Sequence, residues 1–155
     1  MGDQLSHSMY FQDFVVGQVL ETPGRTITEA DIVNFAGLSG DFHGLHTDEM
    51  YASQGPFGRR VAHGLLGLSI TSGLAMGLGI LQESVMAFRE LTCKFSKPIF
   101  IGDTVHASMT VTKLKPMDRI GGGRVELEVK LYNQRDEVVQ SGTWSVLVHC
   151  RPVAE

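Results

Sequence analysis

The chain changes character near residue 84. Beyond it, apolar and polar positions alternate with a period of two, the signature of strands with one buried face. In residues 124–132, Val125, Leu127, Val129 and Leu131 fall on one side, and Arg124, Glu126, Glu128 and Lys130 on the other. Residues 104–114 repeat the pattern, with Val105, Ala107, Met109 and Val111 inward. Two further strands are predicted, over 84–97 (stopped by Pro98) and over 138–149. Turns are expected at Ile101-Gly-Asp103, at Ile120-Gly-Gly-Gly123 and at Asn133-Gln-Arg-Asp136.

Before residue 84 the pattern is helical and broken. Residues 13–22 read as an entry segment and first strand, ended by Pro23-Gly24. Thr28-Glu-Ala-Asp31 has the form of a capping box, and the apolar residues that follow predict a helix to about Ser39. Gly40 to Thr47 is expected to be a loop, Asp48 to Gln54 one or two helical turns, and Gly55-Pro-Phe-Gly58 a turn. Gly64 to Leu81 then runs eighteen residues without a charge. That is the lower length limit of a spanning helix, and Arg59 and Arg60 precede it as a basic flank would. Five glycines lower its hydropathy, and the strands that follow need a helix to cover their apolar face. It is therefore predicted to be one long helix buried in the fold, with Leu74, Met76 and Leu78 as core residues.

Long antiparallel strands around one buried helix imply an α+β fold with a curled sheet. Such a sheet leaves an edge or face that is often paired across a dimer. The 155 residues are the size of one domain, no linker or repeat divides them, and 43% of them are apolar. A net charge of −4 argues against nucleic acid or anionic membrane as a general partner. Cys93 and Cys150 are too few for a disulfide scaffold or zinc site, and residues 1–10 lack a secretory pattern, so the expected location is the cytoplasm.

Candidate chemistry gathers in two segments. Leu38-Ser-Gly-Asp-Phe-His-Gly-Leu-His46 carries Asp41, His43 and His46. Phe57-Gly-Arg-Arg-Val-Ala-His-Gly64 enters the long helix. Asp with His is an acid–base pair. A glycine opening a helix offers a bare N–H at the positive end of the dipole, suited to a developing oxyanion. Ser39 and Ser69 lack a nucleophile elbow, so the composition favours proton transfer or hydration over acyl transfer through a covalent intermediate.

Phe35 to Ala52 resembles the hydratase signature of MaoC-like proteins and (R)-specific enoyl-CoA hydratases, whose pattern is G-D-x-N-P-x-H. Phe57 to Gly64 resembles that family's F-G-x-x-x-A-H-G segment, and Phe95 to Thr104 its strand and turn after the helix. The resemblance covers about residues 12–150 of a single domain spanning 1–155. It implies a hot-dog fold, a homodimer and an acyl-CoA (or acyl-carrier) substrate at the subunit interface, with no cofactor and no metal. It also implies Asp41 and His46 as the catalytic dyad and the Gly64 N–H as donor to the thioester carbonyl. Ser69, Ala62, His63 and His43 then fall along the substrate. His43-Gly44 departs from the family's Asn-Pro while keeping the dyad spacing.

The activity so implied is a hydro-lyase interconverting a trans-2-enoyl-CoA and a (3R)-hydroxyacyl-CoA. Three other readings remain open at this point. A hot-dog thioesterase would carry a carboxylate on the helix, and residues 64–82 hold none. A non-catalytic acyl-CoA or acyl-carrier binding module would not need the dyad. A metal enzyme would use His43, His46, Asp48 and His63. Arg59, Arg60, Lys94 and Lys97 are cations that suit CoA phosphates or plain solvent.

Overall fold

A computed structural model describes residues 8–152. The outer ends of the expected 1–155 domain, and most of the segment read for an export signal, lie outside the described residues. Chain order is a 3-10 turn at Phe11–Asp13, β1 (Val19–Glu21), β2 (Arg25–Thr26), α1 (Glu29–Ser39), α2 (Gly44–Thr47), α3 (Glu49–Ser53), α4 (Gly64–Gly77), β3 (Val85–Leu91), β4 (Lys94–Phe95), β5 (Thr104–Met117), a 3-10 turn at Asp118–Ile120, β6 (Gly122–Tyr132) and β7 (Val138–His149). The strands form one antiparallel sheet in the order β1-β5-β6-β7-β3, with β2 added to β5 and β4 to β7. The α+β class and the hot-dog arrangement follow: α4 lies in the concave side of the curled sheet.

The period-two reading of the sheet holds residue by residue. Val105, Ala107, Met109 and Val111 of β5, the four inward residues of β6, and Trp144, Val146 and Val148 of β7 are all buried. They form two joined clusters under α4. Ala75 sits over the Met109/Leu127/Trp144 end, and Leu66 and Ile70 sit over the Val105/Leu131/Val139 end. Full burial of one such side chain contributes about 1.5–3 kcal/mol, so this stripe carries most of the stability. On the opposite face, charges pair in water, as in Arg124 with Glu126 and Lys130 with Glu128.

Four expectations shift. The long helix stops at Gly77 rather than Leu81, and the chain turns at Gly79, whose φ is +73°. Its fourteen residues are too few to cross a membrane, and no helix among the described residues is long and apolar enough to do so. Met76 is 41% exposed, while Leu74 and Leu78 do pack on the core. The strand expected over 84–97 breaks at Thr92-Cys93, where the Thr92 carbonyl presses on Gly142 so closely that no side chain fits there. Within 13–22 the entry segment takes most of the length and the strand only Val19–Glu21, because Gly17 turns the chain with φ +90°.

Candidate active site

Three short elements and one helix end build the site. The predicted capping box starts α1: Thr28 Oγ1 accepts from Asp31 N at 3.2 Å, and the Asp31 carboxylate accepts from Thr28 N at 2.8 Å. Gly40 ends α1 in the left-handed region, φ +79°, with its N–H on the Ala36 carbonyl. Ser39 Oγ then accepts from Asp41 N at 3.2 Å. The chain thus leaves α1 in a fixed direction, and Asp41 is presented at its mouth.

The expected loop over 40–47 is helical in its second half. His43 explains this, since its Nδ1 accepts from Leu45 N at 3.1 Å and so caps α2. Its ring meets Tyr51 edge-on at 5.4 Å. Gly44 lies under Tyr51, and a Cβ there would stand 2.8 Å from the tyrosine ring. The His43-Gly44 departure from the family pattern is therefore one packed unit with Tyr51. Asp48 caps α3 through Tyr51 N at 3.0 Å.

Asp41 and His46 come together. A carboxylate oxygen of Asp41 and ring nitrogens of His46 and His63 all lie within 4.8 Å of one another. His46 Nδ1 is 2.7 Å from the Val61 carbonyl oxygen. A carbonyl only accepts, so Nδ1 carries the proton and Nε2 of the neutral ring is the free base. Partial burial pushes the His46 pKa down, with the neighbouring imidazoles adding to that and the Val61 and Asp41 contacts opposing it. The ring is therefore neutral at pH 7.

His63, the N-cap residue of α4, is 3% exposed. Its Nε2–H donates to the Asp41 backbone carbonyl at 2.9 Å, and its ring stacks on His46 at 3.8 Å between centroids. Gly64 opens α4, and no backbone carbonyl among the described residues accepts its N–H. A Cβ on Gly64 would stand 2.8 Å from the Phe95 ring. His46, Ala62, Gly64, Leu65, Phe95 and Lys97 share the wall of an open cleft of about 400 Å³.

Of the other expected substrate contacts, Ala62 lies on that wall. His63 sits beneath His46, and His43 is spent on its cap. Ser69 donates to the Leu65 carbonyl at 2.8 Å and lines a separate groove with Arg25 and Gly73. Of the four cations, Arg60 is clamped at 2.8 Å by both Glu29 and Glu49, which hold its pKa up, and Arg59 lies over the Phe100 ring. Lys97 pairs with Glu137 at 2.6 Å, and Lys94 is exposed.

The metal set drawn from sequence does not assemble among the described residues: His46 and His63 gather with Asp41, their ligand atoms within 4.8 Å of one another and their rings stacked at 25°, whereas His43 and Asp48 stay outside that group, each capping a short helix.

Sequence reasoning missed Gln140. It is 4% exposed, and its Nε2 donates to the Gly64 carbonyl at 2.8 Å. A Cβ on Gly67 would run into that amide, so Gly67 is what admits it. The signal was present in β7: counting back by twos from Val148 through Val146, Trp144 and Gly142 reaches Gln140, a polar residue on the inward stripe. The next residue, Val139, is the extra residue of a bulge, since Leu131 pairs with Gln140 and Tyr132 with Val138.

Comparison with known proteins places the chain in a family and a fold. Residues 12–133 match the model of the MaoC like domain. The chain is 35% identical over 142 residues to an (R)-specific enoyl-CoA hydratase of Rhodospirillum rubrum, covering 92% of this chain and 93% of that one. It is 40% identical over 101 residues to protein MaoC of Klebsiella aerogenes, covering 65% of this chain but only 30% of that longer protein. Among solved structures, a MaoC-like dehydratase from Rhodospirillum rubrum superposes with a TM-score of 0.85 at 29% identity, over 94% of this chain and all of that one. A Mycobacterium tuberculosis protein with a double hot-dog fold superposes at 0.77 with 22% identity, over 96% of this chain and 46% of that one, a likeness of fold alone. The hot-dog sheet, the Asp41/His46 loop seated at the head of α4 and the family match over residues 12–133 together make this chain a member of the MaoC-like dehydratase family.

Proposed function

We propose that the protein adds water reversibly to a trans-2-enoyl thioester to give a (3R)-hydroxyacyl thioester, using Asp41 and His46 as its acid–base pair. The observation that carries the reading is the meeting of Asp41 and His46 in one loop, beside a helix whose first N–H has no backbone acceptor among the described residues. The thioester carbonyl receives the Gly64 N–H at the positive end of the α4 dipole. Water is held between the Asp41 carboxylate and His46 Nε2. As its oxygen bonds to C3, the C2–C3 π pair moves toward C1 and negative charge grows on the thioester oxygen. The pair takes the proton from water and returns one to C2, so the net change is addition of H and OH.

One oxyanion donor contributes about 2.7–4 kcal/mol, and each positioned acid or base roughly 10²–10⁴-fold. These groups supply the reaction with no metal or redox cofactor in the scheme. A second copy of the chain is the proposed partner. It would cover the exposed apolar side chains Leu65 and Met76 of α4 and Phe88 and Leu91 of the edge strand β3.

The test is loss of enoyl absorbance on adding the protein to crotonyl-CoA and to a panel of longer and polar enoyl-CoAs, beside Asp41→Asn and His46→Ala. Turnover by the parent with large losses in both variants supports the reading. Tight binding of the acyl-CoA without turnover across the panel replaces it with a binding module.

A further inference from the structure

The proposed chemistry leaves a buried polar group at the site unused. His63 is 3% exposed, and its Nδ1 is buried with no hydrogen-bond partner among the described residues. An unpaired buried acceptor is costly, and an apolar side chain could fill the same space beside Phe35, whose ring lies 5.0 Å away. The ring nevertheless makes two contacts that an apolar side chain could not reproduce together. Its Nε2–H donates to the Asp41 backbone carbonyl across twenty-two residues of chain, and its face lies on His46. The next residue along is Gly64, the helix-opening glycine.

We propose that His63 is a positioning residue, locking the Asp41–His46 loop onto the end of α4 that carries the Gly64 N–H through Nε2–H donation to the Asp41 carbonyl. The acid–base pair and the oxyanion donor come from separate segments. His63 joins them through one side chain on the residue adjacent to the donor. The other hydrogen bonds of Asp41 among the described residues are local: its backbone N–H donates to Ser39 Oγ, and its carboxylate accepts from His43 N. A misplacement of about 1 Å at such a site costs on the order of 10²-fold in rate. The effect on rate rests on the hydratase reading. The effect on loop order does not.

Three substitutions separate the two ring nitrogens. The amide of His63→Gln reaches the place of Nε2, the amide of His63→Asn reaches the place of Nδ1, and His63→Leu keeps neither. Backbone hydrogen exchange over residues 40–47 is measured without substrate, with thermal melts alongside, and kcat and KM are measured on the enoyl-CoA panel. The proposal expects Gln to keep parental exchange and most of kcat. It expects Asn and Leu to exchange faster in this loop and to lose about 10²-fold in kcat with little change in KM. Side-chain 15N spectra of the parent should show His63 as the Nε2–H tautomer.

Unchanged loop exchange in all three variants would overturn the proposal. So would rescue by Asn but not Gln, since Nδ1 would then be the working atom. Global unfolding of the variants would also overturn it, since the residue would then hold the fold and not the loop. A parent that turns over nothing on the panel would fail the hydratase reading alone, and the exchange data would still decide His63.

Discussion

The sheet and the layer over its concave side are held in different ways. In β5, β6 and β7 the backbone ladder is nearly continuous, and the inward side chains from Val105 to Val148 are 0–5% exposed. In the layer of α1, α2 and α3, few side chains reach the core. Ile32, Ala36 and Ala52 are buried, but Val33, Leu38, Phe42, Met50 and Tyr51 are more than half exposed. This layer is fastened by polar bonds of longer reach: His46 to Val61, Val61 N to Leu45 O, His63 to the Asp41 carbonyl, and Arg60 to Glu29 and Glu49. Stability resides in the sheet and the proposed chemistry in the layer, whose local order rests on single bonds.

Substitutions should expose this division, beginning with the most damaging. Asp41→Asn and His46→Gln should each lower kcat by about 10²–10⁴-fold while leaving the melting temperature near that of the parent, because Asp41 is exposed and neither residue belongs to a core cluster. Leu131→Ala should do the reverse. At 1% exposure it should cost about 2–5 kcal/mol in denaturant unfolding, with kcat per folded molecule unchanged. Gln140→Leu falls on the seam between the two regions. It leaves the Gly64 carbonyl without its partner, and should cost about 1–3 kcal/mol of stability together with a measurable loss of kcat.

The pH dependence is smaller and has a definite sign. The folded-state pKa of His46 is depressed, chiefly by partial burial. Between that pKa and the ordinary value near 6.5 the unfolded chain binds the extra proton and the folded one does not. The contribution of His46 to stability is therefore full above about 6.5 and is lost as pH falls through the depressed pKa. Activity should fall in the same direction, below the ordinary histidine range, as Nε2 becomes protonated. Parallel kcat and melting profiles from pH 8 to 5 would check this. Lys97→Ala, which removes a surface pair with Glu137, should change stability by less than about 1 kcal/mol.

The same division governed what could be read from sequence. Period-two alternation identified the inward residues from Val105 to Val111 in β5 and from Val125 to Leu131 in β6, because burial on one face leaves a direct imprint on residue type; it lost Leu114, which packs on the core beyond the register shift between Val111 and Lys113. The Thr28 box and the short helical segment from Asp48 to Gln54 were also legible, since both are local. Elements whose ends depend on another strand were not. The step at Thr92-Cys93 follows from the close approach to Gly142, and the helical turn at Gly44–Thr47 from the ring of His43. At the site, the loop spacing and the helix-opening glycine were visible in sequence. The contacts from His63 to Asp41 and from Gln140 to Gly64 were not, because they span twenty-two and seventy-six residues.

The central claim is that Asp41 and His46 act as one acid–base unit, and a double-mutant cycle on enoyl-thioester hydration tests it most directly. Groups that act as a unit are strongly non-additive. The account predicts that Asp41→Asn combined with His46→Gln loses little more kcat than the worse of the two single variants. Losses that multiply would show two independent contributions and would contradict it.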